Sequence, residues 1–124
     1  MEKKKIIVVD DERDIRELIA EVMTGEGFDV STASTGEEAL FLIKENIYDV
    51  AIVDFNLPDM DGLTLHHKFK VMDKELANST IFISGLIQSK DNLDYFFTQS
   101  AGFLPKPFRV KDLIFSIKKV IEQQ

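Results

Sequence analysis

The sequence predicts a doubly wound α/β domain, with five parallel strands and five helices covering both faces of the sheet. Short apolar runs alternate with segments of helical period along all 124 residues, the order that gives a parallel sheet under crossover helices. Two of the runs, "IIVV" (6–9) and "VAIV" (50–53), are apolar at every position, as strands buried on both faces are. No linker, repeat or low-complexity stretch breaks the series, so one domain is expected over residues 1–124.

The first strand is "KIIVV" (5–9), rich in β-branched residues. A helix follows over 13–24, where Ile15, Leu18, Ile19, Val22 and Met23 recur at i, i+3, i+4, i+7 and i+8 as one apolar stripe. Gly25 and Gly27 stop it. "FDVSTA" (28–33) is a second strand, polar enough for a sheet edge. Ser34 and Thr35 are candidate caps for a helix in "STGEEALFLIKEN" that buries Ala39, Leu40 and Ile43.

"DVAIV" (49–53) is the third strand, and 63–76 has helical propensity with a muddier apolar pattern. "TIFIS" (80–84) is the fourth strand. "SKDNLDYFFTQS" (89–100) reads as a short helix resting on Leu93, Phe96 and Phe97. "GFL" (102–104) is the fifth strand. The last helix, 110–122, sets Val110, Leu113, Ile114, Ile117, Val120 and Ile121 on one side. His66 and His67, adjacent on a helix, point in different directions and read as structural or surface residues. Phe96, Phe97, Phe108 and Phe115 read as core.

Fifteen Lys and Arg stand against twenty-two Asp and Glu, a net charge of −7. Such a domain is poorly suited to bind nucleic acid, whose phosphates supply most of the affinity to basic proteins. There is no cysteine, which excludes disulfides and thiolate metal sites and fits a reducing compartment. "MEKKK" is followed by only four apolar residues, far short of a signal core. No run approaches the ~18 apolar residues of a membrane span. The expectation is a cytoplasmic protein acting without membrane or nucleic acid.

Ligands of doubly wound sheets bind outside the carboxyl ends of the strands. Here the first strand ends in Asp10 and Asp11, the third in Asp54 and the fourth in Ser84, and the fifth runs into Lys106. Right-handed crossovers carry these ends to one rim. If the first and third strands are neighbours, ~4.8 Å apart, three aspartates converge, tolerable only with a proton or a cation between them. Oxygen donors with no Cys, and no nearby His, favour Mg²⁺ or Mn²⁺ over zinc. Lys106 and Ser84 would close such a cage around an oxyanion, the arrangement used in phosphoryl transfer. Asp54 is then the nucleophile, because Asp10 and Asp11 are the better metal pair.

The motifs "VVDDE" (8–12), "VDFNLPDMDG" (53–62), "ISG" (83–85) and "FLPKPF" (103–108) stand in this order and at these intervals. By them the chain resembles response-regulator receiver domains of bacterial two-component and phosphorelay signalling over essentially its whole length. The resemblance implies a flavodoxin-like sheet of strand order 2-1-3-4-5. It implies that Asp54 accepts a phosphoryl group from a phosphohistidine of a histidine kinase or phosphotransfer protein. Asp10, Asp11, Asp54 and the Asn56 backbone carbonyl would hold Mg²⁺. Lys106 would pair with the phosphoryl oxygens, Ser84 would turn toward them, and Phe103 would be the switch aromatic. Lys106–Pro107 is the family's site for a cis peptide. Ile15 and Leu18 would help to dock the kinase.

Such a domain is a switch rather than a turnover enzyme, though it promotes its own phosphorylation and dephosphorylation. Its output surface would be the fourth helix (89–100), fifth strand and fifth helix, offered to a downstream effector or a second copy. Phe103 departs from the tyrosine that many members carry, which removes any switch read through that hydroxyl. The rival reading is a Mg²⁺-dependent phosphatase of the haloacid-dehalogenase type. That family carries its nucleophile on the first strand with an acid two positions later. Here Asp11 intervenes between Asp10 and Glu12, position 56 is Asn56, and no cap insertion is present.

Overall fold

A computed structural model describes residues 3–85, 94 and 100–124. Five parallel strands, β1 (Lys5–Val9), β2 (Asp29–Ala33), β3 (Val50–Asp54), β4 (Thr80–Ser84) and β5 (Gly102–Pro105), form one sheet in the order β2-β1-β3-β4-β5. The described helices are α1 (Arg13–Gly25), α2 (Gly36–Glu45), α3 (Gly62–Met72), α4 (Lys74–Asn78) and α5 (Val110–Glu122). The helix expected over 89–100, with Leu93, Phe96 and Phe97, lies outside the described residues apart from Asp94 and Ser100.

Successive side chains of a strand point to opposite faces, and the core divides accordingly. Ile7, Val9, Ala51, Val53 and Phe82 face one way, against Ala39 and Ile43 of α2 and Leu65 and Phe69 of α3. Ile6, Val8, Val50, Ile52, Ile81 and Ile83 face the other, against Ile19 and Met23 of α1 and Leu113 and Ile117 of α5. β1, β3 and β4 are buried on both faces apart from exposed Lys5, whereas β2 keeps Asp29 and Thr32 exposed at the edge. The polarity of β2 in the sequence therefore has its counterpart in position.

Local signals set the helix ends. α1 stops where Gly27 takes φ +98°, a conformation that costs glycine little. Thr35 caps α2 by accepting from the Glu38 amide at 3.1 Å. The single helix expected over 63–76 is two helices. Asp73 leaves helical geometry at φ −157°, its own amide donating to Phe69 O while its carboxylate accepts from the Leu76 amide at 3.1 Å. One aspartate thus ends α3 and caps α4. Phe115 also departs from expectation: it is 68% exposed on α5, because Leu113 and Ile117 occupy the face that meets the sheet. Phe108 is half-buried against that core.

The register levels the strand ends that matter. Val9 pairs with Val53, Asp54 with Ile83, and Ser84 with Pro105. The residues just beyond these pairs share one rim.

Candidate functional site

Asp10 is fully buried at the end of β1, held by the chain on both sides of it. Its amide donates to Ala33 O at 3.1 Å, and its Oδ1 accepts from the Glu12 amide at 2.8 Å, at the start of α1. Asp54, 4% exposed, ends β3. Its Oδ1 accepts from the Asn56 amide at 2.9 Å, which fixes the plane of the carboxylate and leaves Oδ2 toward the rim.

Lys106 unites these groups. Its amide donates to Ser84 O at 2.8 Å, extending the β4–β5 ladder by one residue. Its Nζ lies 3.0 Å from Asp54 Oδ2, 2.9 Å from Glu12 Oε1 and 2.9 Å from Asp10 Oδ2. The Lys106–Pro107 peptide is cis. Ligand oxygens of Asp10, Glu12 and Asp54 can all lie within 4.8 Å of one another. One ammonium therefore faces three carboxylates.

The electrostatics follow from that imbalance. Burial pushes the Asp10 carboxyl up to about 6; the Glu12 amide and Lys106 pull it back, and the charge of Asp54 raises it further. Burial disfavours the Lys106 ammonium, but Glu12, Asp10 and Asp54 together overcome this and raise its pKa above the ordinary lysine range. Asp10 Oδ2 is buried and, despite its ion pair, has no hydrogen bond of good geometry. With Glu12 and Asp54 beside it, this oxygen belongs to a cluster that could hold a metal ion. The donors are all hard oxygens, the set that suits Mg²⁺, Ca²⁺ or Mn²⁺.

The β3–α3 loop is tied down independently. Gly62 N donates to Phe55 O at 2.7 Å, and Asn56 bridges to Asp61. The Asp59 carboxylate accepts from the Gly36 and Glu37 amides at the start of α2, each at 2.9 Å. Slight burial would raise its pKa, but these amides and those of Asp59 and Met60 outweigh it and hold the carboxyl below the usual range. Asn56 Nδ2 donates to Ser84 Oγ at 3.2 Å, joining the tips of β3 and β4.

Of the residues singled out from sequence, Asp10, Asp54, Asn56, Ser84 and Lys106 come together. Asp11 is exposed on the rim and stands outside the carboxylate grouping. Phe103 is half-buried on β5, packed against the core that faces α2 and α3. Ile15 is half-buried on α1, while Leu18 is 39% exposed one turn further on. Glu12 and Asp59 were not singled out as site residues. Glu12 sits one place beyond the Asp pair, where a strand-end reading stops, and Asp59 acts on a helix 22 and 23 residues away.

Known proteins share this fold. The family model of the response regulator receiver domain matches residues 6–118. The chain belongs to this family. A response regulator receiver domain protein of Methanospirillum hungatei, described as CheY-like, superposes with a TM-score of 0.89 at 28% identity, covering 98% of this chain and 97% of that one. TrrA of Thermotoga maritima, a response regulator solved in complex with Mg²⁺–BeF, gives 0.83 at 31% identity, covering 94% and 98%. The transcriptional regulatory protein SrrA of Staphylococcus aureus is 27% identical over 119 residues, 96% of this chain but 48% of SrrA. The chain spans about half the length of the curated relatives it matches. Among the described residues no helix is long and apolar enough to cross a membrane.

Proposed function

We propose that this receiver domain is a phosphorylation switch in which Asp54 accepts a phosphoryl group from a phosphohistidine of a histidine kinase or phosphotransfer protein. The observation that carries this reading is the direction of Asp54: Oδ1 is held by the Asn56 amide, and Oδ2 points to the rim beside Lys106. Oδ2 is the attacking atom. As its bond to phosphorus forms, the phosphorus–nitrogen bond to the donor imidazole breaks, and the electron pair stays on that nitrogen.

Lys106 meets the charge that collects on the phosphoryl oxygens. Buried Asp10, with Glu12 and Asp54, would hold a divalent cation such as Mg²⁺, joined on the family pattern by Asp11 and the Asn56 carbonyl. When bound, that ion supplies positive charge for the carboxylates and the transferred group alike. Acylphosphate formation at Asp54 removes one partner of Lys106 and places new acceptors near Ser84. The Asn56–Ser84 hydrogen bond is the contact best placed to respond. The end of β4 would then shift Phe103, β5 and α5, with the segment over 89–100, toward a state read by an effector or a second copy.

Incubation with Mg²⁺ and acetyl phosphate, followed by intact mass, tests the reading. Wild type should gain one phosphoryl group, and Asp54→Asn or a chelator should abolish the gain. Undiminished labelling of Asp54→Asn would refute it. No observation favours a phosphatase: the fold match covers nearly the whole chain without a cap insertion.

A further inference from the structure

Away from the rim, α2 and α3 leave a groove of about 390 Å³, lined by Leu40 of α2 and His67, Lys68, Val71 and Met72 of α3. Two of the lining side chains stand largely in solvent: Val71 is 88% exposed and Met72 45%. Neither contributes to the sheet-facing surface of α3, which Leu65 and Phe69 already fill. Contiguous exposed apolar ground of this kind marks an interaction surface.

The charge around the groove states what covers it. α3 carries Lys68 and Lys70 and no acidic residue, in a chain of net charge −7. Lys44 lies one turn beyond Leu40, on the same side of α2. Among the described residues neither Lys44 nor Lys68 forms an ion pair. Lysines thus outnumber acids beside the apolar strip, Lys44 and Lys68 against exposed Glu37 three residues before Leu40, on an otherwise acidic protein. We propose that the groove docks an amphipathic helix of a partner protein, with apolar anchors at i, i+3, i+4 and i+7 and Asp or Glu beside them. A second copy fits less well. A two-fold contact sets the same patch against itself, here lysine edge against lysine edge between two chains of net −7.

Fluorescence anisotropy with two synthetic helices tests the proposal. Both carry Leu at the four anchor positions; one carries Glu on its flanks and the twin carries Lys. The acidic peptide should bind, with the basic twin about tenfold weaker or worse at low salt. Lys68→Glu should cost the acidic peptide about tenfold, and Val71→Glu should abolish its binding. Both positions are exposed and remote from the rim, so melting curves and phosphoryl labelling should match wild type. Val71→Ala replaces the glutamate variant should that one melt early. Equal binding of both peptides, or binding of neither, would overturn the proposal. So would self-association in sedimentation that Val71→Glu removes, which assigns the groove to a second copy. Capture by anionic vesicles without peptide binding would assign it to a membrane surface and overturn it equally.

Discussion

Lys106 Nζ stands 3.0 Å from Asp54 Oδ2 although the two residues lie 52 positions apart in the chain. The same ammonium reaches Asp10 and Glu12 at 2.9 Å each. It is the cation within reach of three carboxylates, and the behaviour of the rim follows from that ratio.

Removing the ammonium should cost phosphorylation heavily. Lys106→Met keeps much of the side-chain volume but leaves the carboxylates unopposed and the phosphoryl oxygens without their partner. The rate of labelling by acetyl phosphate should fall by about a hundredfold, the usual scale for a lost oxyanion donor. A loss of less than about threefold would mean that Lys106 serves the fold rather than the transfer.

Neutralising Asp10 should have two opposite effects. The buried carboxyl is pushed up to about 6, so it is still mainly ionised at neutral pH and keeping that charge buried costs the fold stability. Asp10→Asn keeps an oxygen for the Glu12 amide and should stabilise the chelator-treated protein by about 1–2 kcal/mol. Saturating Mg²⁺ is expected to raise the melting temperature of wild type, a hundredfold excess over Kd contributing about 2.7 kcal/mol, and Asp10→Asn should remove that rise. A variant that loses stability in chelator, or keeps the full Mg²⁺ effect, contradicts the crowding described here.

His66 supplies a pH dependence distinct from the rim. It is buried, with Nε2 2.8 Å from Ala77 O and its ring 5.3 Å from that of Phe82. Burial lowers its pKa; the Ala77 carbonyl opposes this, and the charges of Lys70 and His67 add to the lowering. Below the unfolded value of about 6.5, the unfolded chain takes a proton that the folded one refuses, so stability falls as pH drops. His66→Gln should be less stable than wild type at pH 7.5 by about 1 kcal/mol, and that gap should narrow toward pH 5.5. A gap that stays constant or widens, in chemical denaturation at both pH values, would sink this reading.

Two glycines separate tolerable crowding from the intolerable kind. A Cβ on Gly62 would lie 2.7 Å from Phe55 Cδ2 and 2.9 Å from its Cα, against backbone that anchors the Asp54 loop. Gly62→Ala should therefore cost about 1–3 kcal/mol despite the gain in helix propensity. A Cβ on Gly36 meets only the flexible end of Met60, 2.6 Å from its sulfur. Gly36→Ala should cost less than about 1 kcal/mol. Denaturant midpoints of the two variants check the order, and the reverse order would contradict it.

The sheet was legible because its signals are local. Apolar runs at 6–9 and 50–53 read as strands buried on both faces, and the more polar run at 28–33 suits an edge, which is where the three strands lie. The rim was legible for a related reason: strand ends share one side of a doubly wound sheet, so Asp10, Asp54, Ser84 and Lys106 could be placed together before any coordinates. What escaped depends on geometry across elements. The break at Asp73 is set by one side chain choosing between two helices. Glu12 joins the site because Lys106 reaches across to it from a position 94 residues later. Neither of these leaves a periodic trace. The exposure of Phe115 does: the stripe of Leu113, Ile114, Ile117 and Val120 passes it by, and reading it as core gave its apolar character too much weight.

The measurement that bears most directly on the central claim is the position of the covalent adduct. Wild-type protein treated with acetyl phosphate and Mg²⁺ can be reduced with borohydride, which converts an aspartyl phosphate to homoserine, then digested and sequenced by mass spectrometry. Homoserine is expected at position 54, with aspartate unchanged at 10 and 11. Homoserine at either of those positions, with Asp54 intact, would mean that the carboxylate beside Lys106 is not the one that reacts.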